Sequence, residues 1–200
     1  KHVIIEAKMV IEEAELKDGV LETTVELVLA LIDGHISTHS LEVLLMPTEQ
    51  QQHPFTDIRF ASEEQQTIGN YRSVTKANGR IVATKERMHL KTACPLSKRF
   101  PFDGRTCELR LFSARQQLSS LELRFHPRAD PVYLSPTITT ARFFLEKVTP
   151  VSCSFDTIYA ISKDSLLTAR HSCLSIRISF TSPLLSSIIR YFIPPLLGQF

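Results

Sequence analysis

The sequence predicts a mainly β protein, an all-β sandwich of about ten strands, on two observations. Run after run alternates apolar and polar residues with the period of a half-buried strand, and short clusters of Pro, Gly and Asp separate those runs. Two hundred residues, 43% of them hydrophobic and 22% charged, are enough for one globular domain with a real core, or for a domain with a short appendage.

The elements follow in order. In the run from His2 to Glu13, Ile5, Ala7, Met9 and Ile11 fall on one side, with Glu6, Lys8 and Glu12 opposite. Val25, Leu27, Leu29 and Leu31 repeat the pattern, after a turn at Lys17-Asp18-Gly19. The stretch from Tyr71 to Ala93 reads as a long hairpin, because Asn78-Gly79 suits the positive backbone angles of a type I′ turn. Further strands are expected at Cys107 to Leu111, Leu121 to Phe125, Arg142 to Glu146 and Leu174 to Phe180. In the last of these Leu174, Ile176, Ile178 and Phe180 alternate with Ser175, Arg177 and Ser179.

From Leu184 to Phe200 the character changes: the run holds no acid, one base and the pair Pro194-Pro195. It is shorter than the ~20 residues of a membrane-spanning helix, so it reads either as a span cut short or as a core element of a soluble domain. Arg190 within a span would cost about 2.5–3.5 kcal/mol unless it lay near the interface. The chain opens directly on a strand-like run, so any secretory leader is expected to be missing from this sequence.

The formal charge of +2, with acids and bases interspersed, lacks the basic footprint of a nucleic-acid binder. Cys94, Cys107, Cys153 and Cys173 order into two sequential pairs, although four cysteines allow three connectivities. Oxidised pairs would place the domain outside the cytosol; the opposing reading is four free thiols or a zinc site, which the absence of any CxxC pair disfavours. His35 and His39 offer two zinc ligands without a third. A thiol beside His171 could be read as nucleophile and base, but no Gly-rich turn supplies an oxyanion pocket, and no phosphate-cradling motif is present. No enzyme, metal or cofactor is expected.

One stretch carries more. The run from Asn78 to Leu111, with cysteines at 94 and 107 enclosing Phe100-Pro101-Phe102-Asp103, resembles the inner hairpin and signature loop of the Cys-loop receptors, the pentameric ligand-gated ion channels. Asp33 and the segment from Phe55 to Glu63 match upstream positions of that family. Downstream, Ala129 to Val148, His171 to Phe180 and Arg190 to Leu197 resemble, in order, the strands before its ligand-capping hairpin, the second half of that hairpin and the opening of its first transmembrane helix. The second cysteine pair and the run Asp130 to Leu134 are closest to the glycine-, glutamate- and GABA-gated anion-channel branch. The chain departs from the pattern in a ring one residue short, in the absence of tryptophan and in Ser182, where a base is expected.

The resemblance implies an immunoglobulin-like extracellular ligand-binding sandwich over residues 1–182 and the beginning of a transmembrane helix over 183–200. It implies a subunit of a homo- or hetero-pentamer in the plasma membrane, with its ligand-binding domain outside the cell as at a synapse. A small amine or amino-acid transmitter would bind between subunits, by cation–π contact with aromatics and a base gripping any carboxylate. By position the ligand contacts are Phe60, Arg87, Phe155, Tyr159 and His171, with Ala114 where an aromatic is expected and Val28 where a second base is. The ring Cys94–Cys107 would present Phe100, Pro101, Phe102 and Asp103 to the membrane domain as a coupling loop, and Cys153–Cys173 would close the capping hairpin. The alternative is a secreted or non-gating binding or structural module of the same fold. An unrelated adhesion domain would differ by a disulfide joining facing sheets in place of sequential pairs.

Overall fold

The computed structural model describes residues 2–17, 19–32, 41–44, 54–68, 73–77, 80–95, 104–127, 130–135, 144–162 and 165–181. These form twelve strands: β1 (Val3–Lys17), β2 (Val20–Ile32), β3 (Leu41–Leu44), β4 (Ile58–Phe60), β5 (Glu64–Thr67), β6 (Ser73–Ala77), β7 (Arg80–Ala93), β8 (Arg105–Ser113), β9 (Leu121–Phe125), β10 (Val132–Leu134), β11 (Phe144–Ser162) and β12 (Ser165–Thr181). A 3-10 turn, Pro54–Asp57, precedes β4. Among the described residues no helix is long and apolar enough to cross a membrane, and the expected span at 183–200 lies outside them.

The strands make two sheets. The larger runs β10-β1-β2-β7-β6-β3, with β9 also on β1 and β5 also on β7; the smaller runs β11-β12-β8-β4. Pairing is antiparallel except along the free edge of β1, where β9 lies parallel to Val3–Ala7 and β10 parallel to Met9–Ile11. The periodicity of each run sets its buried face. Ile5, Ala7, Met9 and Ile11 from β1, and Leu21, Val25, Leu27 and Leu29 from β2, share one core with Leu109 and Leu111 from β8 and with Leu174, Ile176, Ile178 and Phe180 from β12. The core therefore lies between the two sheets, which makes the fold a sandwich. Each fully buried aliphatic side chain there contributes about 1.5–3 kcal/mol relative to exposure.

A β-bulge shifts the β1 register between Ile11 and Glu13. The extra residue reverses the phase, so that Ala14 and Leu16 still face inward although they break the odd-numbered pattern. The tight turn between β1 and β2 needs positive φ at Gly19 (φ 87°), and the carbonyl of that residue accepts the Cys94 amide at 2.7 Å. The β6–β7 hairpin pairs Ala77 with Arg80, which leaves two residues for its turn; Asn78-Gly79 itself lies outside the described residues.

Candidate functional site

Both disulfides form in sequential order. Cys94–Cys107 runs from just beyond β7 of the larger sheet to β8 of the smaller one, and Cys153–Cys173 links directly opposed residues of β11 and β12. The first pair is at once sequential and a link between facing sheets, so the contrast drawn from sequence between a receptor-type and an adhesion-type disulfide does not separate the two. With no free cysteine among the described residues, a thiol at position 153 or 173 cannot serve as a nucleophile.

The second disulfide marks a change in the smaller sheet. Between Cys173 and Phe180, β12 is paired on both sides, by β8 and β11; beyond Cys173 only the β11–β12 ladder continues, to Ser162 and Ser165. The hairpin thus projects as a two-stranded arm with its cross-link at the root. A two-stranded ribbon is marginal on its own. Here Asp156 and Arg170 pair across it at 2.8 and 3.2 Å, and the guanidinium holds the Asp156 carboxyl below its usual range. Ile158 and Leu167 on the arm are exposed.

At the arm's root the alternation of β11, β12 and β8 brings an aromatic cluster to the outer face of the smaller sheet. His171, 2% exposed, stacks on Phe155 with centroids 5.2 Å apart, and Phe155 meets Phe112 edge-on at 5.5 Å. Arg59 on β4 lies over the Phe112 ring, 5.6 Å from its centre. The imidazole is fixed at both nitrogens: Nδ1 lies 3.0 Å from the Gln116 carbonyl and Nε2 lies 3.0 Å from the Thr157 hydroxyl. A carbonyl only accepts, so Nδ1 donates to Gln116; the Thr157 hydroxyl, beside Nε2, also donates to the Ala169 carbonyl at 3.1 Å, which ties the imidazole to the backbone of β12. The loop after β8 is held over this corner by the Leu118 amide, which donates to the Arg170 carbonyl at 2.7 Å.

Of the residues expected from sequence, Phe155 and His171 are thus in contact. Tyr159 follows on the same strand, its backbone opposite Leu167. Phe60 sits beside Arg59 on β4, but alternation turns it inward, 5% exposed within the core. Arg87 is exposed on the outer face of the larger sheet, where its Nε donates to the bulge residue Glu12 at 2.5 Å. Ala114 caps β8, its amide donating to the Asp57 carbonyl at 2.9 Å, and Val28 lies opposite Lys85. Phe100, Pro101, Phe102 and Asp103, with Asp33, His35 and His39, lie outside the described residues. Phe112, Arg59 and Thr157 were not singled out from sequence. The signal for Phe112 was its place one residue off the Cys107, Leu109, Leu111 alternation, which puts a large aromatic on the solvent face.

The arrangement gathers two phenyl rings, a buried imidazole and an exposed guanidinium on the outer face of the smaller sheet. Among the described residues no three His, Cys, Asp or Glu side chains come together as a metal site. No protein-family profile and no curated protein matches the chain, so the reading of the site rests on its own chemistry.

Proposed function

We propose that the chain is the extracellular, immunoglobulin-like ligand-binding domain of a subunit of a pentameric neurotransmitter-gated channel, with residues 183–200 opening its first transmembrane helix. The observation that carries this reading is where the stapled ring is rooted. Cys107 pairs with Ile178 and Arg105 with Phe180, so both the disulfide and the ring's downstream limb lie at the end of β12 that leads to residue 182. A coupling loop must sit where the chain leaves for the membrane, and a cross-linked loop passes displacement on rather than absorbing it.

The second disulfide supports the same reading, since it closes the root of a projecting hairpin that carries Phe155, Tyr159 and His171. Arg87 stands on the other sheet from that hairpin. Contacts on different faces suit a transmitter held between two subunits, each contributing one face. The ligand would be a small amine or amino acid, the assembly a homo- or hetero-pentamer, and the location the plasma membrane.

A specific observation favours the alternative, a secreted or non-gating binding or structural module. Phe60 is buried, one face of Phe112 is covered by Arg59, and Arg87 is engaged by Glu12, so three elements that would grip a transmitter already have partners. One experiment decides between them. The full-length product is expressed in oocytes, alone and with related anion-channel subunits, under a panel of amine and amino-acid ligands. Ligand-evoked current that disappears in Phe155→Ala supports the channel. Surface-expressed protein without current in any combination, yet with ligand-dependent thermal stabilisation of the purified domain, supports the non-gating module.

A further inference from the structure

The outer face of the smaller sheet carries a second feature, which meets the aromatic cluster at Arg59 and runs away from it. Its register sets four rows of outward-facing residues across the strands. Arg59 is level with Phe112, Cys173 and Cys153; Arg110 with Ser175 and Val151; Glu108 with Arg177 and Thr149; Thr106 with Ser179 and Lys147. Arg59, Arg110, Arg177 and Lys147 therefore lie on one diagonal, each a single strand over and two residues along from the last. Strand geometry sets the stride at about 8 Å, from ~4.8 Å between strands and ~6.8 Å along them. All four side chains are exposed.

The two sheets treat their cations differently. On the larger sheet Lys85 pairs with Glu26, Arg87 with Glu12 and Lys91 with Glu64. Beside the smaller sheet's diagonal stand two acids, Glu108 opposite Arg177 and the exposed bulge residue Glu146 next to Lys147. Glu108 pairs with Arg110 at 3.1 Å and accepts from Ser175, and its carboxyl is held below the usual range, first by that hydroxyl, then by Arg110 and, from farther off, Arg177. Arg59, Arg177 and Lys147 make no ion pair among the described residues. With four cations against Glu108 and Glu146, a chain whose formal charge is only +2 concentrates that whole excess on one face.

We propose that this diagonal is a binding surface for a linear sulfated polysaccharide. The stride is that of a regularly repeating polyanion, comparable to one disaccharide of an extended chain; the formal charge of only +2 argues against a nucleic acid as the occupant. Three of the four cations are arginines, whose planar fork accepts sulfate and carboxylate oxygens in pairs. Thr106, Thr149 and Ser179, set between them, add hydroxyl donors. The exposed large apolar side chains Ile32, Ile68, Tyr133, Ile158 and Leu167 all lie off these rows, so the surface lacks the anchors a lipid bilayer would engage. It is also a face and not an edge, which disfavours an acidic peptide added as a strand.

The test uses the disulfide-intact protein and size-defined heparin oligosaccharides at physiological salt. The double variant Arg177→Gln/Lys147→Gln, remote from the aromatic cluster, is expected to bind roughly tenfold more weakly and to reduce the salt slope by about two. Lys85→Gln/Lys91→Gln, which removes the same charge from the larger sheet, is expected to change affinity less than about twofold, with both variants retaining the wild-type circular dichroism. On the wild-type protein, bound oligosaccharide is expected to protect Arg59, Arg110 and Arg177 from arginine-specific labelling and Lys147 from acetylation. Equal loss in both doubles, unprotected diagonal residues, or no binding at physiological salt overturns the proposal. Equal affinity for desulfated heparin, phosphatidylserine vesicles or polyglutamate overturns it as well.

Discussion

Gly104 and Phe180 approach so closely that a Cβ on Gly104 would lie 2.2 Å from the Phe180 carbonyl oxygen. The obstacle is backbone, which cannot rotate away as a side chain could, so only glycine lets the ring's downstream limb pass the end of β12.

Gly104→Ala is therefore expected to destabilise the fold by about 2–3 kcal/mol, beyond the usual effect of adding one methyl group. Urea denaturation checks this. A loss below about 0.5 kcal/mol would mean that the two backbones part easily. On the channel reading the same variant also impairs gating at unchanged ligand affinity.

The two disulfides are expected to differ in consequence. Each closes a short loop, with separations of 13 and 20 residues, and chain entropy alone assigns about 3 kcal/mol to either. Cys94 and Cys107 are both fully buried in the core, whereas Cys153 is half-exposed at the root of the arm. Cys94→Ala/Cys107→Ala should abolish cooperative unfolding of the whole sandwich at physiological temperature. Cys153→Ala/Cys173→Ala should leave the sandwich folded and lose hydrogen-exchange protection within 154–172. Uniform loss of protection in the second variant would refute the two-stranded arm as a separate unit.

The hydroxyls of Thr23 and Thr92 are buried without a hydrogen-bond partner, on paired strands of the core face. Desolvating a hydroxyl without compensation costs about 1–3 kcal/mol, and valine has the same shape. Thr23→Val is expected to raise stability by about 1 kcal/mol, seen as a higher melting temperature; a drop would reveal a partner for that oxygen.

Glu108 gives a pH prediction with a definite sign. Its carboxyl lies below its usual value of 4.5, chiefly through the Ser175 hydroxyl, then Arg110, against an opposing effect of burial. A depressed native value adds stability that is present above pH ~4.5 and is lost as pH falls through the native value. Ser175→Ala should raise the native value, measured by NMR titration of the Glu108 carboxyl. The variant should be less stable than wild type at neutral pH and converge with it in acid. An unmoved titration would show that the hydroxyl is not the cause.

Alternation made much of this fold legible beforehand. The core positions of β1, β2, β8 and β12 follow from a period of two, because a strand with one wet face leaves that imprint on its side chains. What stayed hidden was non-local or polar. Nothing in Leu121–Phe125 or Val132–Leu134 announces that both lie parallel along β1, and β5, Glu64–Thr67, has no apolar face to betray it. Beyond the buried Ala169, His171 and Ser172, the arm residues Ile158, Leu167 and Thr168 are exposed and leave no apolar stripe, so β11 and β12 run well past the limits that their apolar runs suggested. The site was readable in part for the same reason. Phe155 and His171 stood out by type near a cysteine, but the partners that hold them, Phe112, Thr157 and the Gln116 carbonyl, come from register and from a loop.

One strand joins the arm, the aromatic cluster, the cationic diagonal and the end of the sandwich where the ring is rooted. β12 runs without interruption from Ser165 to Thr181, a span of about 55 Å at strand rise. A tug along its axis loads the β8 and β11 ladders in shear, all bonds sharing the strain at once, whereas a pull across it would part them one by one. The strand is thus a tie-rod: stiff under tension, and suited to carry a tensile load from the hairpin tip to residue 181 with little loss on the way.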